Sequence, residues 1–327
     1  MKKFLKIIYI LLLVVAVGLV SGYFYMQNKY PIAIEAPNLK IELTEQRLER
    51  GKYLFTSVAG CADCHSTRDW SKLTGPVIPG TEGKGGDKFD ETIGLPGSFP
   101  AKNITPAGIG GWTDGEIYRA ITSGISKDGE PLFPIMPYPN FAKMDKEDIY
   151  SIIAYVRTLA PIQNEVPKHD AKFPMNIIMR TIPAPPDHQS IPERSNTIAY
   201  GKYMVTAAGC GDCHTQSDKG VPIPGKELAG GVEFNVGPWV NTTSNLTPDN
   251  ETGIGKMTRD DFIKRFKSCS TPEYKNTTWK EGEFNTIMPW TLLSQMSESD
   301  LGSIYDYLRT IPPVSNKVEK FRLPSKF

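Results

Sequence analysis

Residues 51–66 read GKYLFTSVAGCADCHS and residues 201–215 read GKYMVTAAGCGDCHT. A chain that repeats itself folds as copies of one unit, so this correspondence constrains the architecture before any local propensity is weighed. The match continues in unchanged order. IPG at 78–80 returns at 223–225, NITP at 103–106 as NLTP at 245–248, and GIGGWT at 108–113 as GIGKMT at 253–258. IMP at 135–137 then recurs at 287–289, and YVRTLAP at 155–161 as YLRTIPP at 307–313. The offset drifts from 150 to 142 and then to 152, as expected of copies that differ by loop insertions. A length of 327 residues also suits two domains rather than one core. The expected boundaries are 42–160 for the first domain and 196–313 for the second, with a tail at 314–327. Between them, the segment 161–195 holds seven prolines and reads as a semi-extended linker. Met175, Ile177, Ile178 and Met179 are expected to hold it against a domain surface.

Each copy reads as mostly helical, giving an all-α fold class. Thr113 with Glu116 and Thr258 with Asp261 have the spacing of an N-cap with an acid three residues on, each opening an amphipathic segment. Asp145 and Ser297 cap the last helix of each copy, ahead of Ile149, Ile152, Ile153 and Val156 in one and Leu301, Ile304 and Leu308 in the other. No run of alternating strand residues competes with these patterns.

A separate segment precedes the repeat. Twenty uncharged residues, Ile7 to Met26, would span roughly 30 Å as a helix, enough for a bilayer core. Lys2, Lys3 and Lys6 flank it and should remain cytoplasmic, which places everything after Tyr30 on the far side of the membrane. The rival is a cleaved signal peptide, whose apolar run is usually about 7 to 15 residues before a small-residue site. Here the run is longer and its best site, Ala16-Val17-Gly18, falls in mid-run, so a retained anchor within residues 1–30 is expected. Without those thirty residues the chain has 33 basic and 36 acidic side chains, net −3 with His neutral, which excludes a basic nucleic-acid surface.

Cys61-Ala-Asp-Cys64-His65 and Cys210-Gly-Asp-Cys213-His214 place four of five cysteines and two of four histidines in two identical frames. This is the attachment motif of haem c. On a helical turn the two sulfurs and the imidazole share a face, so both sulfurs can bond one porphyrin edge while the ring points at the iron. Two covalently bound haem c groups are expected, with His65 and His214 as iron ligands. A zinc knuckle or a redox dithiol also uses CxxC, but neither needs a histidine directly after it in both copies. For the sixth ligand, Met136 and Met288 sit in matched loops before a proline, where an extended backbone can present a thioether. Met144 and Met296 are matched as well, but each precedes a helix cap at the position of a hydrophobic staple and reads as packing. Cys269 reads as a single buried or loop cysteine, His169 and His188 as solvated linker residues, and Trp112, Trp239, Trp279 and Trp290 as core by default, with lining of the haem pockets as the alternative.

These residues resemble the diheme cytochrome c family, in particular the membrane-tethered cytochrome c subunits of periplasmic alcohol, aldehyde and sugar dehydrogenases. The resemblance covers residues 45–313 and rests on the CxxCH and Met-Pro elements, supported by GKYL/GKYM, N-[IL]-T-P and GIGGWTDGE. That branch often carries three haem motifs, whereas this chain has two. The resemblance implies two tandem cytochrome c-type domains, with Gly51 and Gly201 on the first helix allowing close approach of Tyr155 and Tyr307 on the last. It also suggests the Pro76 carbonyl as acceptor for the second nitrogen of His65, with Val221 at the aligned position in the other copy. Asn103 and Asn245 are candidates for haem propionate contacts or for plain turn formation. In the family, haem attachment happens outside the cytoplasm, in agreement with the flanking lysines.

With His and Met on both irons, no site is left for substrate, so single-electron transfer without catalytic activity of its own is the expected function. The expected location is the cytoplasmic (inner) membrane, single-pass, with both haem domains periplasmic. Donors would be a periplasmic dehydrogenase or a quinol-oxidising complex, and acceptors a terminal oxidase or a small cytochrome or cupredoxin. Two alternatives remain at this point: a diheme peroxidase with one open haem, and an integral diheme subunit of an oxidase complex.

Overall fold

The computed structural model describes residues 1–324 and is mostly helical. Its first helix, α1 (Lys2–Lys29), buries none of its residues and has a mean hydropathy of 2.6 over its most apolar window. It is long and apolar enough to cross a membrane, and it runs beyond the uncharged Ile7–Met26 stretch at both ends.

The first half of the remainder contains α2 (Glu45–Tyr53), continued by a π-helical turn at Leu54–Val58, then α3 (Cys61–Cys64), α4 (Pro106–Ile109), α5 (Asp114–Ser123), α6 (Tyr138–Phe141) and α7 (Lys146–Val156). One short helix, α8 (Met175–Ile178), lies in the connecting segment. The second half contains α9 (Thr197–Ala207), α10 (Cys210–His214), α11 (Arg259–Lys267), α12 (Pro272–Lys275), α13 (Trp290–Leu293) and α14 (Glu298–Leu308). Among the described residues, strands are only two or three residues long, which fits a sequence without alternating apolar runs.

Capping fixes the helix starts where the side-chain pattern puts them. Thr113 and Thr258 each complete a capping box, with Glu116 and Asp261 returning the bond to the cap N–H. Asp145 accepts from Glu147 N–H and Ser297 from Asp300 N–H. The faces behind these caps are buried: Ile149, Ile152, Ile153 and Val156 on α7, and Leu301, Ile304 and Leu308 on α14. Met144 and Met296, at 1% exposure each, pack as staples and not as surface or ligand loops.

In both halves the first helix packs on the last, α2 on α7 and α9 on α14. Gly51 and Gly201 set that contact. A Cβ on Gly51 would lie 1.9 Å from Ser151 O, and one on Gly201 would lie 1.9 Å from Ser303 O. The expected approach to Tyr155 and Tyr307 is present, with the added Cβ 2.9 and 3.0 Å from their Cβ atoms.

The halves also pack on each other with repeat-like reciprocity. Helix α6 packs on α9, and α13 packs on the turn that extends α2. Separately, the 71–74 loop meets the 277–285 segment through Leu73 N–H to Thr277 O and Trp279 N–H to Ser71 O, both 2.9 Å. In the connecting segment Met179 is buried and Met175 and Ile177 are half-buried, but Ile178 is 44% exposed, so the apolar cluster only partly lies against the rest. The tail is tied in as well: Phe321–Arg322 adds a strand to the Glu233–Asn235 and Val240–Thr242 pair.

Candidate metal centres

Each CxxCH turn follows a glycine that the backbone requires. Gly60 at φ 68 and Gly209 at φ 63 occupy the left-handed region, redirecting the chain from the first helix into α3 or α10. All five cysteines are free thiols. Burial pushes Cys61, Cys64 and Cys210 up to about 12 and Cys213 up to about 11. A redox dithiol needs a depressed thiol pKa, so this environment opposes that alternative. Among the described residues, no group of three or more His, Cys, Asp or Glu is arranged as a metal cluster.

The histidines are held identically. His65 Nδ1 lies 2.7 Å from Lys102 O, and His214 Nδ1 lies 2.7 Å from Ser244 O. With Nδ1 donating to a carbonyl, each ring has the tautomer that leaves Nε2 as its basic nitrogen. Burial lowers the pKa of both imidazoles, keeping them neutral and able to bind a metal.

This corrects the expected acceptor. Pro76 O is taken by Asp69 N–H at 2.9 Å, and the sharp 68–76 loop, held by Arg68 bonding to Thr74 O and Gly75 O, carries that carbonyl away from His65. In the second half Val221 pairs with Asp218 in a short hairpin. The residues that hold the rings, Lys102 and Ser244, directly precede the matched N-[IL]-T-P segments, and that register was the only sequence signal for them.

Asn103 and Asn245 form turns. Asn103 Oδ1 accepts from Thr105 N–H at 3.0 Å and Thr105 Oγ1 at 2.7 Å, while Nδ2 donates to Ile162 O and Asn164 O. Asn245 Oδ1 takes Thr247 N–H and Oγ1 at 2.9 and 2.8 Å, and Nδ2 donates to Val314 O and Thr252 Oγ1. These bonds fill each amide's capacity, which leaves turn formation and not a propionate contact as the role the geometry carries. They also pin each loop to the chain just beyond the last helix.

Met136 and Met288 lie in loops, half-buried against the core, directly before the Pro137 and Pro289 that open α6 and α13. Met288 N–H is held by Thr286 Oγ1 at 3.1 Å. Just after the first loop, Asn140 of α6 reaches the opposite half, donating to Asp212 of the second CxxCH at 2.7 Å.

The remaining candidates resolve differently. Cys269 is buried, its thiol directed at Arg265 O at 3.5 Å, as a packing cysteine. His188 is not solvated: it is hydrogen-bonded to Tyr118 OH and Met144 O, fastening the connecting segment to the loop before α7. His169 is half-buried against Phe99, and burial lowers its pKa. Trp239 packs on Trp279 and Trp70 with centroids 4.8 and 6.4 Å apart, so it is core.

No family model matches the chain. Among characterised proteins, it is 30% identical to the cytochrome c subunit of quinone-dependent alcohol dehydrogenase from Gluconacetobacter polyoxogenes, over 82% of this chain and 56% of that protein. It is 28% identical to the gluconate 2-dehydrogenase cytochrome c subunit of Pantoea cypripedii, over 81% and 59%. A diheme cytochrome c-type protein of Cereibacter sphaeroides is 28% identical over 85% of this chain and 90% of its own length. The chain thus spans little more than half of the dehydrogenase subunits it resembles.

Proposed function

We propose that this homologue of dehydrogenase cytochrome c subunits is a diheme c-type cytochrome that passes single electrons. Two tandem domains, 42–160 and 196–313, would each carry one haem, with Cys61 and Cys64 tethering the first and Cys210 and Cys213 the second. His65 and Met136 would ligate one iron and His214 and Met288 the other. Bound haem would supply a one-electron iron couple; the chain supplies attachment, ligand orientation and burial.

The observation that carries this reading is the duplicated imidazole: in both halves Nδ1 is committed to a backbone carbonyl at 2.7 Å, leaving Nε2 as the ligand nitrogen. The matched Met-Pro loops, half-buried in both halves, support the same ligand pair twice.

Helix α1 is proposed as the inner-membrane anchor, with Lys2, Lys3 and Lys6 on the cytoplasmic side and both haem domains periplasmic. The anchor would confine the protein to two dimensions and raise its effective concentration near a membrane partner. A periplasmic dehydrogenase is the proposed donor, supported by the relatives' names, and a terminal oxidase or a small carrier the acceptor.

Intact mass and visible spectra after expression with a cytochrome maturation system test the reading. The expected result is a mass increase of two haem groups and a reduced spectrum of low-spin haem c that carbon monoxide leaves unchanged. Colourless protein of bare-chain mass would overturn it, and stoichiometric carbon monoxide binding at one haem would replace the carrier with the peroxidase.

A further inference from the structure

Thr74 is anomalous in two ways. It is β-branched yet lies in the left-handed region at φ 64, and its fully buried hydroxyl has no partner among the described residues. Its N–H donates across the two halves of the chain to Asn285 Oδ1 at 2.8 Å. Asn285 is equally buried, and its Oδ1 also takes Thr286 N–H at 2.8 Å. Two backbone donors fix the orientation of that amide, and its Nδ2 is left buried without a partner among the described residues. Two touching residues thus each bury one unpaired polar atom, which is costly, and one of them also holds a strained backbone. Native structures seldom keep such groups without a use for them.

Their position suggests the use. Asn285 lies three residues before Met288. Asn241, whose Nδ2 holds Asn285 O at 2.9 Å, lies three residues before Ser244, the residue that fixes His214. The orphaned amide therefore sits where the segment that anchors the histidine meets the loop that carries the methionine. At the same two offsets in the first half stand Phe99 and Phe133, stacked with centroids 3.9 Å apart, which offer no donor.

We infer that Thr74 Oγ1 and Asn285 Nδ2 form a seat for a carboxylate of the second site's porphyrin, so that the first half of the chain contributes a group to the cofactor held by the second. This rests on the haem reading above. The propionates are the ionised groups of haem, and two uncharged donors in a buried site favour the ionised carboxylate. Drawing charge from that carboxylate disfavours the ferric state, so the seat raises the second site's potential.

The test uses full-length haem-loaded protein and redox titrations at several pH values, with the second site's wave identified through Met288→Ala, which removes its sulfur-to-iron band. Thr74→Val is expected to lower that wave's midpoint and to move its pH break upward, leaving the first site's wave in place. Thr74→Ser should restore both. Should Thr74→Val not fold, Asn285→Asp carries the same test, because an acid beside the carboxylate lowers the same wave. A Thr74→Val protein whose melting temperature changes while both waves stay put would mean that a buried water alone satisfies the pair, and would overturn the inference. Movement of the first wave alone would overturn it too. Protein without thioether-bound haem would instead defeat the underlying haem reading, and shows in the mass before any titration.

Discussion

Tyr53 of the first half donates its phenolic proton to Asp300 of the second at 2.6 Å, and the same oxygen accepts Ser297 N–H at 3.0 Å. The repeat makes this reciprocal. Tyr203 donates to Asp148 at 2.6 Å and accepts Asp145 N–H at 3.1 Å. Each GKY tyrosine thus completes the N-terminus of the other half's last helix, touching both its cap residue and its third-position acid. Both acids are 1% exposed and each also has an arginine: Arg50 grips Asp148 at 2.8 and 2.7 Å, and Arg194 reaches Asp300 at 2.7 Å. Because Arg194 comes from the connecting segment, that segment closes the second copy of a contact whose first copy is made by α2.

Removing either phenol strips a hydrogen bond from a buried carboxylate and a capping acceptor from a helix. Tyr53→Phe and Tyr203→Phe are each expected to cost about 2 kcal/mol, read as a lower urea midpoint. The double variant should fall short of or exceed the sum, since both contacts brace one interface. Loss of under about 0.5 kcal/mol in both singles would show that the contacts are incidental.

Gly51→Ala and Gly201→Ala force a methyl into a backbone carbonyl 1.9 Å away and must separate the first and last helices. Each is expected to cost roughly 3 kcal/mol or more by chemical denaturation. Gly111, with nothing within 4 Å of an added Cβ, is the control, and Gly111→Ala should be nearly neutral.

Asp87 gives a pH dependence with a definite sign. Burial outweighs the Arg68 charge and pushes its carboxyl up to about 6. A native pKa above the unfolded value means that the folded state holds the proton more tightly, so this stabilisation is complete below about pH 4 and is lost as pH rises through 6. Asp87 is only partly buried and solvent screens its carboxylate, so Asp87→Asn should gain about 1 kcal/mol over the wild type at pH 7 and nothing at pH 4. Stability curves that stay parallel between those values would refute it.

Met136→Ala should abolish the sulfur-to-iron charge-transfer band of one haem only. Retention of both bands would remove Met136 from the ligand set.

Cys213→Ala should weaken covalent attachment in the second half alone, seen as less denaturation-resistant haem on that peptide. Equal loss in the first half would mean that the two sites do not mature independently.

Features that depend on a few consecutive residues could be read from the chain alone. The CxxCH frames, the Thr113 and Thr258 capping boxes, the Asp145 and Ser297 caps and the staple methionines all follow from three- and four-residue spacings on a helix. Gly51 and Gly201 were legible because a repeat preserves the position of a close contact. Tertiary structure alone decided the partners set by the path of long loops: Lys102 and not Pro76 over His65, His188 between Tyr118 and Met144, Thr74 against Asn285, and each tyrosine against the opposite half's acid. A carbonyl has no side-chain signature, and a contact between positions far apart in the chain depends on how the intervening loops close, which neither periodicity nor spacing encodes.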